Sequence, residues 1–227
     1  MRGCLAYKER EKPVELVRQK AYRKTFEIAC TQLAESDLPD RLMRAGVRFR
    51  IESGACLIDV AVFDETIQLA IPGFSFASDK GSSTTLTTKI VLLHYLIHAS
   101  GNAVLGVDPI PYEDIPGCRT YSPVFERRVS KPLLSAFGYA RDAFLDAGIA
   151  LGGKAGEYGD ASFTVLALPR VPITFILWEG DQDFPPSMKI LFDRSIHWYL
   201  PLEDIVVVSK MAATRILKQA RKGYVEG

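Results

Sequence analysis

Three histidines and a run of carboxylates carry most of the chemistry this 227-residue sequence could perform. His94 and His98 lie four apart in KIVLLHYLIHASG, a stretch that predicts a helix. Helical spacing of four places both imidazoles on one face, where they could hold a metal ion or stand as an axial ligand over a tetrapyrrole. His197 sits in the apolar setting SIHWYL. The alternative reading makes all three core or interface histidines bonded to backbone groups, because HxxxH without the Glu of HExxH is a weak signal. The segment WEGDQDFPPSMKILFDRS follows a predicted central strand. In it Asp181, Asp183 and Asp193 could bind a cation or act as acid and base. Equally, Asp183 could cap a helix starting at Pro185-Pro186, and Asp193 could pair with Lys189 one turn earlier.

Other motifs are excluded by order or spacing. DKGSSTTLTTK offers hydroxyls at a helix start but lacks GxxxxGK[ST], so no nucleotide P-loop is predicted. GGKAGEYGD has glycines at the wrong spacing and follows a helix, which rules out a dinucleotide fingerprint. There is no GxSxG elbow. Cys4, Cys30, Cys56 and Cys118 contain no CxxC pair, so neither a zinc ribbon nor an internal iron–sulfur motif is expected. Arg41, Arg44, Arg48 and Arg50 form a basic cluster without interleaved aromatics, read as a solvated face or an anion patch.

These residues need elements to position them. The period of 3.6 over about 13–35 predicts an amphipathic helix, followed by a shorter one that Asp37 caps and Gly46 ends. From Val47 the period becomes two, and three strands with short connections predict an antiparallel meander through Ile71. Helices are expected over 82–101, about 122–151, from Pro185 to about Leu200, and from Pro201 to about Gly223. Residues 105–123 read as an ordered loop. Ser162–Leu168 and Ile173–Trp178 are continuously apolar, as central strands are. The sum is one α+β domain over 1–227, with a helical segment at about 13–45 and a sheet-and-helix core at about 47–222. Its sheet is expected to be mixed or mostly antiparallel, with about five strands.

Composition narrows the setting. With 28 basic and 27 acidic residues the net charge is +1, which argues against a nucleic-acid binder. No apolar run approaches a bilayer span and the first twenty residues are polar, so a cytoplasmic protein with no membrane partner is expected.

LLHYLIHASG (92–101), PGCRTYSPVFERR (116–128) and LPRVPITFILWEGDQDFPPSMKILFDRSIHWYLPLED (168–204) resemble an uncharacterised prokaryotic family, the domain of unknown function DUF3786. The resemblance implies a setting in anaerobes, where some members carry an added cysteine-rich iron–sulfur domain like one in corrinoid iron–sulfur proteins. This chain lacks that cysteine run, so an iron–sulfur or corrinoid protein would have to be a separate partner. Three readings follow. The first is an accessory protein of anaerobic one-carbon metabolism that binds a corrinoid, another tetrapyrrole or a metal centre, through His94, Tyr95 and His98 facing Trp178, Asp181 and His197. The second is an adaptor for an iron–sulfur or corrinoid enzyme. The third is an enzyme on a small polar substrate using Asp181, Asp183 or Asp193.

Overall fold

A computed structural model describes residues 12–101, 105 and 109–223. The polar N-terminal stretch and part of the 105–123 loop lie outside the described residues. Two helices open the fold, α1 (Lys12–Ala34) and α2 (Leu38–Ala45). Asp37 precedes α2 without a side-chain cap bond, whereas Gly46 ends it in the left-handed region at φ 66°, as read from the sequence.

The meander is present and has a fourth strand: β1 (Arg48–Glu52), β2 (Ala55–Val62), β3 (Glu65–Ile71) and β4 (Ser75–Ser78), paired antiparallel in chain order. Ile58, Val60, Ile67 and Leu69 fill its inner face. Helix α3 (Leu86–His98) follows, with the Thr85 hydroxyl accepting from the Thr88 N–H at 3.2 Å. Val91, Leu92, Leu93, Tyr95 and Leu96 are all buried, which matches a helix that is apolar nearly all round.

A second antiparallel sheet has the order β5-β9-β8-β7-β6. Its members are β5 (Pro109–Pro111), β6 (Lys154–Ala155), β7 (Ala161–Leu168), β8 (Val171–Trp178) and β9 (Ser187–Asp193). The architecture is therefore α+β with two antiparallel sheets of four and five strands, where the sequence predicts a single sheet of about five. The expected helix at 185–200 is the largest departure. Pro185 and Pro186 lead into β9 instead, and Met188, Ile190 and Phe192 alternate to meet Leu177, Phe175 and Ile173 of β8. A period of two had been masked by a Pro-Pro that reads equally as a helix start or an extended lead-in.

The expected long helix at 122–151 is broken into α4 (Ser122–Phe125), a π-helical turn (Glu126–Ser130), α5 (Lys131–Phe137) and α6 (Arg141–Ile149). Pro132 has no N–H for the Arg128 carbonyl, which accounts for the widened turn beside it. Gly138 ends α5, and Ala140 restarts the chain at φ −149°. A short 3₁₀ turn (Arg194–Trp198) precedes the last helix, α7 (Leu202–Gly223).

Aromatic rings knit the second sheet to its helices, with Phe137, Phe144, Phe163 and Phe175 in successive contact at 4.7–5.6 Å between centroids. The two sheets meet where the Phe63 N–H donates to the Ala167 carbonyl at 3.2 Å, at the bulge that shifts the β7 register between Leu166 and Leu168. Helix α7 clamps the first sheet. Arg215 pairs with Glu65 at 2.6 Å and lies 4.6 Å from the Phe63 ring centroid. No helix among the described residues is long and apolar enough to cross a membrane.

Candidate functional site

Helix α3 is held at its C-terminal half by Tyr95. This ring is fully buried; its hydroxyl donates to the Ala45 carbonyl at 2.5 Å and accepts from the Arg170 N–H at 3.0 Å. Burial drives its ionisation far above the usual phenol range, so it is a fixed, neutral strut between α2, α3 and the β7–β8 turn. Its environment leaves no face for a ligand.

One position before this strut, His94 points the other way, to the start of α7. Its Nδ1 lies 2.6 Å from Asp204 Oδ2, with side chains only 19% and 10% exposed. The carboxylate fixes the ring orientation and, in the neutral ring, favours the tautomer with the proton on Nδ1 and the lone pair on Nε2. His98 stands one turn on, its ring edge-on to His94 with centroids 6.2 Å apart. Burial, the neighbouring His94 and then Arg41 push the His98 pKa below the usual imidazole value, although Asp204 opposes them. His98 is thus biased towards the neutral form that ligates metals.

The base of this site is built by α2. Arg41 reaches the Ala99 carbonyl at 3.4 Å and Arg44 the Ser100 carbonyl at 3.1 Å, binding the exposed carbonyl end of α3. The basic cluster is therefore partly consumed by helix capping. Arg50 pairs with Glu52 and Asp59 on the first sheet.

The six side chains expected to face one another are split by the second sheet. Tyr95 is bonded at Arg170, in the turn before β8, while Trp178 is the last residue of β8. Seven strand steps separate these ends, roughly 24 Å. His197 belongs to the Tyr95 end: its Nδ1 contacts the Arg194 carbonyl at 2.8 Å, and the adjacent Trp198 carbonyl accepts from Ser100. Trp178 and Asp181 belong to the far end, so they do not line the His94 face.

The three carboxylates also part. Asp181 Oδ1 accepts from the N–H groups of Asp183 and Phe184 at 2.8 and 2.7 Å, forming a turn ahead of β9. Asp193 closes β9 at its other end and accepts from the Ser195 N–H and hydroxyl. Asp193 thus caps the 3₁₀ turn, and Asp183 caps no helix. Among the described residues no group of three or more His, Cys, Asp and Glu side chains is arranged to hold a metal ion. The chain offers His94 and His98 as a pair.

Asp204 itself was legible only as a first-turn carboxylate suited to the α7 dipole; its contact with a residue 110 positions earlier leaves no local signal. A second missed group adjoins it. Tyr112 shares a hydrogen bond with Cys118, both are buried, and Glu203 faces them. Burial raises both the phenol and the thiol, so this pair is protonated and unreactive.

The domain-of-unknown-function model DUF3786 matches residues 37–215. The chain belongs to this family. The matched span runs from α2 into the last turns of α7, and so contains His94, His98, Asp204, Tyr95 and both sheets. No curated protein and no solved structure matches this family member.

Proposed function

We propose that this DUF3786 protein is a cofactor-binding accessory protein, in which Nε2 of His94 is offered to a metal ion or to the metal of a corrinoid or other tetrapyrrole in anaerobic one-carbon metabolism. The observation that carries the reading is the 2.6 Å contact between His94 Nδ1 and Asp204 Oδ2. A carboxylate behind an imidazole is the arrangement that fixes tautomer and basicity in histidine ligands. His98, whose pKa its surroundings lower, stands beside it with ring centroids 6.2 Å apart and is the proposed second ligand.

The residues present fit a metal bound through one or two imidazoles, with the remaining ligands coming from solvent, a macrocycle or a partner. The open hollow of about 320 Å³ under α3 is lined by Asp40, Arg41, Arg44 and Ser100 and does not include His94. A macrocycle on His94 would need a second wall, and an iron–sulfur or corrinoid protein is the partner proposed to supply it. When bound, the metal supplies the redox or group-carrying chemistry. The chain's own contribution is to orient the His94 ring through Asp204.

The enzymatic alternative through Asp181, Asp183 and Asp193 has less support, because Asp181 and Asp193 sit at opposite ends of β9. The test is metal analysis and a visible spectrum on protein purified without oxygen from a corrinoid-producing anaerobe, followed by cobalt(II) and zinc(II) titration of the stripped protein. Near-stoichiometric metal that is lost in a folded His94→Ala variant supports the proposal. A metal-free protein that also fails to bind either ion in titration rejects it.

A further inference from the structure

The far end of the second sheet carries a feature that the His94 reading leaves unused. Trp178 is 40% exposed, Phe184 71% and Tyr139 68%, three aromatic rings bared on one short stretch of surface. Trp178 and Phe184 line an open hollow of about 520 Å³ together with Asp160, Glu179 and Asp181. Tyr139 is seated beside them, because a Cβ on Gly180 would meet its ring at 2.5 Å and Pro186 at 2.7 Å. The Gly180 N–H donates to the Gly138 carbonyl at 2.9 Å, which ties the loop after β8 to the end of α5. The aromatic surface thus rests on a braced backbone.

Its charge is one-sided. Glu157, Asp160, Glu179, Asp181 and Asp183 fall in the two loops that flank the hollow, in a chain whose net charge is +1. Of the nearby cations, Arg141 faces Glu179 at 3.9 Å, and Lys189 lies two positions along β9 from the Ser187 that pairs with Trp178. Backbone N–H groups occupy one oxygen each of Asp160 and Asp181, which holds these carboxylates in place and leaves the second oxygen of each for a ligand.

We infer that this face docks a segment of a partner protein that presents arginine side chains, with a guanidinium over the Trp178 ring and charge pairing to Asp160 and Asp181. Exposed aromatics among fixed carboxylates match the guanidinium group on both counts, since it stacks on indole and forks onto carboxylate. An apolar partner would leave the carboxylates unpaired, and an acidic one would be repelled. The surface is independent of His94, so either can fail without the other.

The test uses the full-length protein and a fluorescein-labelled decapeptide of alternating arginine and glycine, read by anisotropy at low salt. Saturable binding is expected, weakened about tenfold by Trp178→Ala and likewise by the pair Asp160→Asn with Asp181→Asn. A glutamate–glycine decapeptide should not bind, and raising salt to about 0.15 M should weaken the arginine peptide. Absence of saturable binding overturns the inference, as does binding that Trp178→Ala and Phe184→Ala both leave intact. Self-association in sedimentation that Trp178→Ala abolishes would assign the face to a second copy and also overturn it.

Discussion

His94 and Asp204, 110 residues apart, meet through Nδ1 and Oδ2 at 2.6 Å where α3 passes the first turn of α7. The contact makes a specific demand on the aspartate. Asp204→Asn preserves shape but weakens the acceptor, and is expected to lower cobalt(II) or zinc(II) affinity about 10- to 100-fold. Competitive titration against a chromophoric chelator measures the loss. A variant that binds as tightly as the parent would show that the carboxylate does not serve the imidazole as a ligand.

His98 makes stability depend on acidity. Its folded-state pKa lies below the ordinary 6.5, so the unfolded chain takes up a proton before the folded one does. Above 6.5 both states are neutral at this position; as pH falls below it, unfolding is favoured until the folded form also protonates. Urea midpoints should therefore decline between pH 7 and pH 5, and His98→Gln should flatten that decline. The effect is small because the ring is partly solvated.

Tyr95→Phe removes one hydroxyl and strands two backbone groups, the Ala45 carbonyl and the Arg170 N–H. Leaving buried polar groups unpaired costs about 1–3 kcal/mol each when no water enters, so a loss of about 2–6 kcal/mol for the two is expected from denaturant unfolding. An unchanged midpoint would mean that the bridge contributes nothing net.

Gly46→Ala tests the stop of α2. The residue lies at φ +66°, and a Cβ would meet Arg170 Nε at 2.8 Å. The left-handed backbone alone costs an alanine about 1–2 kcal/mol, and the arginine must also shift. Thermal unfolding should show the drop.

Much of the fold was legible because local pattern and local structure agree. The alternation from Val47 onwards names the meander, although Phe49 and Ile51, the apolar side of β1, stay exposed, and Gly46 needs only its own backbone to end a helix. The strand β9 was hidden because Pro185-Pro186 permits two lead-ins, and only the pairing of Met188, Ile190 and Phe192 with β8 decides between them. The candidate site divides in the same way. His94 and His98 share a helix face, which spacing alone reveals, whereas Asp204 is brought to them by tertiary packing. Trp178 and Asp181 stand close in sequence to a central strand, but the direction of β8 carries them away from the imidazoles, and strand direction cannot be read from composition.

The clamp between Arg215 and Glu65 spans 150 residues. During synthesis the meander is complete when residue 78 has left the ribosome, yet the helix that locks its β2–β3 turn begins only at Leu202, more than a hundred residues later. Until β7 is made that small sheet lacks its seam with the second sheet, and until α7 follows it lacks its clamp. A ribosome stalled before α7 would thus display an exposed, sticky intermediate, the kind of surface that chaperones engage.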